Sequence, residues 1–395
     1  EVFTATNILN FNTTTQQAAE ARFLRAFAMF AVADGWNQVP FRQPGENLLN
    51  APQVLKGSDA LTFIINEMNA IQNDLPDGPV GRANKDAAKV MLMKAYLNKG
   101  TFANRQSPTF DAADMAQVIS LADQIINSGK YSLDANYFEN FAPNNDQLSS
   151  ENIWTLATDA GVSPGPNTGN GVRSRWFCTL HYNQNPSGWN GFTTLSDFYN
   201  TFEDGDVRKG GSYTGVTDVS GLKVGFLVGQ QFDQNGTPLQ DRKGNPLAFT
   251  PEINPIETGN NLEVTGIRVV KYPPDFLHGD FKDNDYVFFR YADVLLMKAE
   301  ALLRTGDAAG ALAIVNNLRQ VRNASQLASL SLDDLCAERG RELYWEGWRR
   351  QDLIRFGKFL EARQGKPASG PERLLFPIPA AALSVNPNLE QNPGY

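Results

Sequence analysis

The chain has 395 residues, with 35 Lys and Arg against 43 Asp and Glu, so its formal net charge is −8. An acidic balance of this size argues against a nucleic-acid-binding protein and against a basic patch that docks on membranes. Hydrophobic residues make up 42% of the chain, as in ordinary globular proteins. The sequence contains no run of about 18 apolar residues, the length needed to span a membrane.

The first 130 residues have the apolar spacing of helices. Residues 15–33 carry apolar side chains three and four positions apart, namely Ala19, Phe23, Ala26, Phe27 and Phe30. This spacing predicts an amphipathic helix. Ser58 is expected to cap a second helix, and similar stripes predict helices over residues 85–98 and 111–128. We expect these helices to pack as antiparallel pairs.

The middle of the chain, residues 131–283, is rich in Gly, Asn, Pro, Ser and aromatic residues. Asn235-Gly236 and Lys243-Gly244-Asn245 are turn signals between short apolar runs, which predicts short hairpins. Leu262–Lys271 is expected to contain a strand. A loop-rich segment of this length inside a compact chain is usually functional.

Helical spacing returns in residues 284–395, with a helix expected from Tyr286. Residues 289–323 predict two helices separated by Gly306-Asp307, and small residues at their junction are typical of tetratricopeptide helix pairs. A third helix is expected from Ser331 or Asp333, and the prolines after residue 376 predict an extended tail. The predicted fold is mainly α: tetratricopeptide-like helix pairs (an α-α superhelix) with an irregular, partly β, loop-rich insertion.

Several long motifs resemble the SusD/RagB family. The C-terminal motifs read RYADVLLMKAEALLRTGD from Arg290, ERGRELYWEGWRRQDLIRF from Glu338 and LLFPIPAAALSVNPNLEQNPGY from Leu374. Upstream motifs of the same family are EARFLRAFAMFAVADGWNQVPFR (20–42), GRANKDAAKVMLMKAYLNKG (81–100) and GWNGFTTLSDFYNTFEDGDVRKG (188–210). The resemblance therefore covers nearly the whole chain in the family order.

This resemblance implies one SusD-like domain over residues 1–395, built from the three segments 1–130, 131–283 and 284–395. It implies a lipoprotein on the extracellular face of the outer membrane that captures an oligosaccharide or polysaccharide for a SusC-like TonB-dependent transporter. The family's lipid anchor is carried by an N-terminal Cys, whereas this chain begins at Glu1. We therefore expect the anchor to lie outside the chain. Neither catalysis nor a cofactor is implied.

The candidate catalytic groups are few. His181 and His278 lie far apart, and no nucleotide-binding, zinc-protease or serine-hydrolase motif occurs. Glu342 and Glu346 share one helical face, and a glycosidase needs two carboxylates across a cleft. Arginines at ion-pairing spacing, namely Arg339, Arg349 and Arg350, favour a structural role for these glutamates. The sequence predicts no enzyme.

Two further groups have structural interpretations. Cys178 and Cys336 fit neither a metal motif nor a disulfide framework, so two buried thiols are favoured over a single disulfide. Asp283, Asn284 and Asp285 could supply oxygens to a structural calcium ion. Capping of the helix expected at Tyr286 is the favoured interpretation, because three consecutive side chains cannot all face one ion. No metal site is predicted.

The loop from Gly161 to Phe202 has the composition of a carbohydrate site. Aromatic rings cover the flat faces of sugars, while amides and guanidinium groups bond their hydroxyls. The predicted ligand-binding residues, in this loop and in a second cluster after residue 35, are Trp36, Asn37, Arg42, Trp176, Tyr182, Asn183, Trp189 and Asn190. Trp154, Trp345 and Trp348 are expected in the core. The alternatives are a helical-repeat scaffold that grips a peptide or protein in its groove, and a glycoside hydrolase.

Overall fold

The computed structural model describes residues 1–158, 160, 172, 174–253, 262–279 and 282–395. Its helices are α1 (Val2–Ile8), α2 (Thr15–Trp36), α3 (Ser58–Ile71), α4 (Lys85–Ala103), α5 (Ala112–Asn127), α6 (Asn145–Leu148), α7 (Ser174–Phe177), α8 (Ser196–Tyr199), α9 (Thr217–Ser220), α10 (Tyr291–Arg304), α11 (Ala308–Val321), α12 (Leu332–Leu343), α13 (Arg349–Arg355) and α14 (Ala380–Val385). The expected mainly α fold is confirmed. None of the described helices is both long and apolar enough to cross a membrane.

The strands are short and lie mostly in the middle of the chain. They are β1 (Gln38–Phe41), β2 (Gln53–Lys56), β3 (Asn152–Leu156), β4 (Gly210–Gly211), β5 (Val224–Leu227), β6 (Gly229–Gln230), β7 (Ala248–Phe249), β8 (Arg268–Val270) and β9 (Tyr286–Arg290). The antiparallel pairs are β1 with β2, β3 with β9, and β6 with β7, while β4, β5 and β8 form a three-stranded sheet. The insertion is therefore partly β, as expected.

Local side chains set the starts of the N-terminal helices. Thr14 and Gln17 form a capping box at α2, since each side chain accepts a hydrogen bond from the other's backbone N–H. The side chains of Asn84 and Asp111 cap α4 and α5 by accepting from backbone N–H groups of the first turn, without a reciprocal bond. The prediction for α3 was wrong: Ser58 is its first residue, and the preceding Gly57 takes the cap position with φ +52°.

Both ends of the chain share one core. Its buried side chains come from α2 to α5 and also from α10, including Val294, Met297 and Ala301. A buried ion pair adds to this contact, because Lys94 of α4 binds Asp293 of α10. The other oxygen of Asp293 accepts from Arg339 of α12 at 2.9 Å. The division of the chain at residues 130 and 283 stays a prediction.

Residues 286–290 are a strand, so the helix expected from Tyr286 was wrong and α10 begins at Tyr291. The aromatic run of β9 pairs with β3, and this distant partner outweighs local helical spacing. The capping role of Asp283, Asn284 and Asp285 was also wrong. Asp283 accepts a hydrogen bond from the backbone N–H of Ala160. Asn284 donates to the carbonyls of Phe141 and Pro273. Asp285 accepts from Thr155 and Thr158.

The predicted hairpin turns in the middle segment are confirmed. Isolated bridges join Phe232 to Pro238 and Gln240 to Pro246 on either side of the two turns. The strand expected in Leu262–Lys271 is limited to β8.

The C-terminal tail is not extended throughout, because it contains the short helix α14. Trp154 is buried as expected. Trp345 and Trp348 are partly buried against the core clusters.

Glu342 lies at the centre of a buried ion-pair cluster. Its carboxylate binds Arg208, Arg290 and Arg322 at 3.0, 2.7 and 2.8 Å. Burial alone would raise its pKa, but these three guanidinium groups hold the pKa of Glu342 well below its usual range. Glu346 binds Arg290 and Lys271. It lies beyond the end of α12 at Leu343, so the expected shared helical face of Glu342 and Glu346 was wrong. The arginines expected as partners, Arg339, Arg349 and Arg350, bond other groups.

We expect Glu342→Gln to lower the free energy of unfolding by about 3–5 kcal/mol, because it leaves buried arginines without their counter-charge. Urea unfolding followed by circular dichroism measures this loss. The matched control is Glu390→Gln, whose carboxylate is 78% exposed and pairs with Lys56 at the surface. That variant should unfold at nearly the same urea concentration as the native chain, because an exposed ion pair adds little stability. Equal losses in the two variants would contradict a central role for Glu342.

Candidate functional site

The candidate site is residues 181–192, called here the aromatic loop. The loop follows α7 and folds back on the residues that precede it. The backbone N–H groups of Trp189 and Asn190 donate to the carbonyls of Phe177 and Leu180, each at 2.8 Å, and that of Gly191 donates to Cys178 at 2.8 Å. These bonds fix the loop without a regular strand. Residues 161–171 and Arg173 of the predicted loop lie outside the described residues.

Gly188 makes this close fold possible. A Cβ atom at this position would lie 2.3 Å from the carbonyl oxygen of Leu180 and 2.7 Å from that of Phe177. Both neighbours are backbone atoms that cannot move independently of the fold, so only glycine fits there. The next residue, Trp189, is thereby placed at the surface.

Three aromatic side chains of the loop are exposed: Tyr182 by 39%, Trp189 by 61% and Phe192 by 59%. The Trp189 ring leans on Phe177, with ring centroids 4.8 Å apart. The guanidinium of Arg242, which comes from the neighbouring hairpin, lies 4.2 Å from the centroid of Tyr182. Exposed rings supported from beneath can contact a ligand at low entropic cost, because their side chains are already ordered.

A buried polar network lies beneath these rings and contains His181. The backbone N–H of Asn183 donates to Nδ1 of His181 at 3.0 Å, so Nδ1 is the unprotonated nitrogen. Nε2 then carries the hydrogen and donates to Glu263 at 2.7 Å. Burial lowers the pKa of His181 more than this hydrogen bond to Glu263 raises it. The neutral form of the His181 imidazole is therefore the one that makes these two hydrogen bonds.

Glu263 joins the aromatic loop to the hairpin that carries Arg242. Its carboxylate accepts from the backbone N–H and from Nε of Arg242, at 3.0 and 3.2 Å. Burial would raise the pKa of Glu263, but the hydrogen bonds from Arg242 and His181 hold that pKa below its usual range. Its backbone carbonyl accepts from Asn190, and the side-chain oxygen of Asn190 accepts from Arg268 at 2.7 Å. The loop is therefore held from two sides.

The predicted site residues in this region have different environments. Tyr182 and Trp189 are exposed together on the loop. Asn183 is also exposed, with one amide hydrogen bonded to the carbonyl of Gln240. Asn190 uses its amide to hold the loop. The prediction for Trp176 was wrong: it is only 1% exposed and belongs to the core of the middle segment. A packed core needs large rings as much as a binding loop does.

The second predicted cluster contacts the C-terminal tail. Trp36 is partly buried, its Nε1 donates to the carbonyl of Pro377 at 3.1 Å, and its ring lies 5.6 Å from that of Phe376. Asn37 accepts from Arg105. Arg42 donates to the carbonyls of the next loop, at Asn47, Leu48 and Asn50. These polar groups are used within the protein, and ligand contact by this cluster stays a prediction.

Sequence reasoning missed Arg242 and Glu263, which complete the site. Both are distant in sequence from the aromatic loop, and no local pattern connects them to it. The one available signal was the turn at Lys243-Gly244, because a residue at a hairpin tip is exposed by necessity. Glu263 looks like an ordinary surface acid in sequence, yet it is 7% exposed.

The candidate catalytic groups are not arranged as a reactive pair at this loop. Glu342 and Glu346 are buried in the central ion-pair cluster. Nδ1 of His278 lies 2.8 Å from the carboxylate of Asp275. Cys178 and Cys336 are both free thiols, the first partly buried and the second buried. Within the described ranges, no group of three or more His, Cys, Asp or Glu side chains is placed to hold a metal ion.

The fold and the loop together define a scaffold of helix pairs whose loop-rich middle segment carries exposed aromatic side chains. The chain belongs to the SusD family, whose model matches residues 121–372. Starch-binding protein SusD of Bacteroides thetaiotaomicron is 29% identical, over 97% of this chain and 73% of SusD.

Two solved structures are similar to this chain along nearly its whole length. A SusD-like protein from Bacteroides fragilis has a TM-score of 0.73 and 19% identity, over 96% of this chain and 80% of the other. A laminarin-binding SusD-like protein has a TM-score of 0.72 and 24% identity, over 100% and 84% of the two chains. At these identities the similarity shows a shared fold.

The environment of His181 predicts a pH dependence of the aromatic loop. Its folded pKa lies below the unfolded value of 6.5, so the unfolded loop binds protons more readily than the folded one. Stability from this residue is complete above 6.5 and is lost as the pH falls from there through the lower folded pKa. Hydrogen exchange of residues 181–192 should therefore speed up with acidification over this window, after correction for the intrinsic exchange rate.

The control for this prediction is the other histidine. His278→Gln should keep the acid transition of the loop, because His278 bonds Asp275 and lies outside the loop. His181→Gln should remove the transition. A loop that responds to acid identically in both variants would show that His181 is not the responsible group.

Proposed function

We propose that this protein binds glycans at the cell surface and delivers them, without chemical change, to a SusC-like TonB-dependent outer-membrane transporter. The observation that carries the proposal is the exposed, internally supported set of rings at Tyr182 and Trp189. The ligand is an oligosaccharide or polysaccharide. The protein would be held at the extracellular face of the outer membrane by an N-terminal lipid anchor of the kind that the family resemblance implies.

The chemistry of the aromatic loop supports a sugar ligand. Sugars have apolar C–H faces and hydroxyl rims, and the loop offers large rings beside an exposed amide at Asn183. Arg242, which lies over one face of the Tyr182 ring, adds N–H donors next to the rings, while its charge is balanced by Glu263. A surface with this balance favours uncharged hydroxyls over an ionic ligand.

The family relatives support the same function. SusD itself is named a starch-binding protein, and one structural neighbour is a laminarin-binding protein. Both named ligands are neutral glucose polymers, which fit the charge balance at Arg242. Transporter partnership and lipid anchoring follow from membership of the family, and they are proposed here on that ground.

The peptide-binding alternative receives less support. A helical-repeat scaffold holds a peptide on the concave face of its helices. In this protein the exposed rings of the candidate site lie on a loop of the middle segment, and helix residues such as Lys94 and Asp293 are used in buried ion pairs. The position of the rings therefore favours the glycan function.

Affinity electrophoresis against starch, laminarin and a panel of plant, host and microbial polysaccharides tests the proposal. At least one polysaccharide should retard the native chain, and Trp189→Ala should weaken that binding by about tenfold or more, since stacking on a large ring is lost. The melting temperature should stay nearly unchanged, because the ring is 61% exposed.

The matched control is Phe3→Ala, which removes an aromatic ring of similar exposure (59%) from α1. It should leave glycan retention unchanged. Loss of retention in both variants, or a large fall in the melting temperature of Trp189→Ala with retention intact, would overturn the assignment of the aromatic loop. Failure of every polysaccharide to retard the native chain would overturn glycan binding itself.

We expect no release of reducing ends when the purified protein is incubated with any retained polysaccharide. The two closely placed glutamates, Glu342 and Glu346, are fully occupied by arginine and lysine side chains in the interior, and a glycosidase needs carboxylates across an open cleft. A reducing-sugar assay over a long incubation checks this, with a known hydrolase as positive control. Steady turnover that copurifies with the chain would make the protein an enzyme.

A further inference from the structure

A second cavity, separate from the aromatic loop, opens beside α12 and α13. We call it the α12–α13 cleft. Its volume is about 670 Å³, and one side is formed by residues 193–201, the other by α12, α13 and residues 358–363. Cavities that hold small organic ligands have about 300–1,000 Å³. The size of this cleft therefore suits a small molecule.

The floor of the cleft is largely aromatic. Phe198, Phe226 and Tyr344 pack against each other there, with the centroids of Phe226 and Tyr344 5.0 Å apart. Trp345 and Leu353 also contribute to the lining. Such a floor offers a ligand apolar contact and so fits a hydrophobic body. Thr193, Thr194 and Thr201 add hydroxyl groups to one side of the cleft.

Most charged groups at the rim are already balanced. Lys358 lies 3.0 Å from Asp333 and 3.4 Å from Glu361. Asp197 accepts hydrogen bonds from backbone N–H groups at Phe198 and Gln364. Arg363 donates to the carbonyl of Lys358. These groups define the edge of the cleft without leaving a strong net charge there.

Arg349 differs from the other arginines of α12 and α13. Each of the other arginines on these two helices lies within ion-pair distance of a carboxylate. Arg339 pairs with Asp352, for example, and Arg355 pairs with Glu300. The guanidinium of Arg349 lines the cleft and donates to the carbonyl of Cys336 at 2.6 Å. Among the described residues no carboxylate pairs with it, so a partly buried cation faces the cavity.

Gly340 gives Arg349 this position. A Cβ atom on Gly340 would lie 2.7 Å from the central carbon of the guanidinium. The guanidinium therefore lies directly beside residue 340 of α12, where any side chain would displace it. One face of the guanidinium is supported by the helix, which leaves its remaining N–H groups for a ligand.

We propose that the α12–α13 cleft binds a small amphipathic organic anion, with one carboxylate or sulfonate on Arg349 and an apolar body on Phe198, Phe226 and Tyr344. A planar acid group takes paired hydrogen bonds from a guanidinium, and the partly desolvated setting strengthens them. This ligand class differs from the glycan proposed for the aromatic loop. The inference does not depend on glycan binding.

Two fluorescent probes of the same ring structure test the proposal. 1-Anilinonaphthalene-8-sulfonate carries the acid group, and N-phenyl-1-naphthylamine lacks it. The folded chain should bind one equivalent of each probe, and Arg349→Gln should weaken the sulfonate by about tenfold or more while changing the neutral probe by less than about twofold. Ala337→Phe, which places a ring inside the cleft from α12, should weaken both probes.

Arg373→Gln is the matched control, because its side chain is 61% exposed and lies outside the cleft. It should bind both probes as the native chain does. Circular dichroism verifies that each variant is folded, and Arg349→Lys, which keeps the charge, replaces Arg349→Gln if that variant unfolds. It should retain part of the sulfonate affinity. Equal sulfonate binding by the native chain and the folded Arg349 variant, or no saturable binding of either probe, overturns the proposal.

Discussion

Three arginines from separate parts of the chain meet at the buried carboxylate of Glu342: Arg208 from the middle segment, Arg290 from the end of β9 and Arg322 from the end of α11. A carboxylate in this position is costly to desolvate, and a well-packed apolar core could be equally stable. The cluster instead ties three separate segments of the chain to one carboxylate through the same set of ion pairs. The loop-rich segment is thereby joined to the helix pairs in a single register.

This constraint extends to the aromatic loop through consecutive contacts. β4 begins two residues after Arg208 and pairs with β5, and β5 pairs with β8. Arg268, the first residue of β8, donates to the side chain of Asn190. The loop that carries the exposed rings is therefore connected to the buried cluster through these paired strands and through the hydrogen bond from Arg268 to Asn190. A loop of this length needs such support, since ordering it for each binding event would cost conformational entropy.

The sequence predicted well those features that depend on neighbours in the chain, such as the stripe of α2 and the turns at Gly236 and Gly244. It failed where a distant partner decides. The run at Tyr286 has helical neighbours, yet β3 draws it into a strand. Trp176 and Trp189 stand in the same aromatic-rich segment, but one ring fills the core and the other is exposed. Gly188 lets the backbone just before Trp189 pack against the carbonyls of Phe177 and Leu180, which no local pattern reveals. Arg242 could not be linked to Tyr182 without the fold.

The two surfaces use the same residue type for different chemistry. Arg242 is held by Glu263 and lies over Tyr182, so its charge is compensated before any ligand arrives. Arg349 donates to the backbone carbonyl and to Sγ of Cys336, and it faces an aromatic floor. A compensated guanidinium lends hydrogen bonds to neutral hydroxyls at little electrostatic cost, whereas an uncompensated one gains most from an anion. The proposed difference in ligand class thus rests on what each arginine already contacts, and the residue type alone does not determine it.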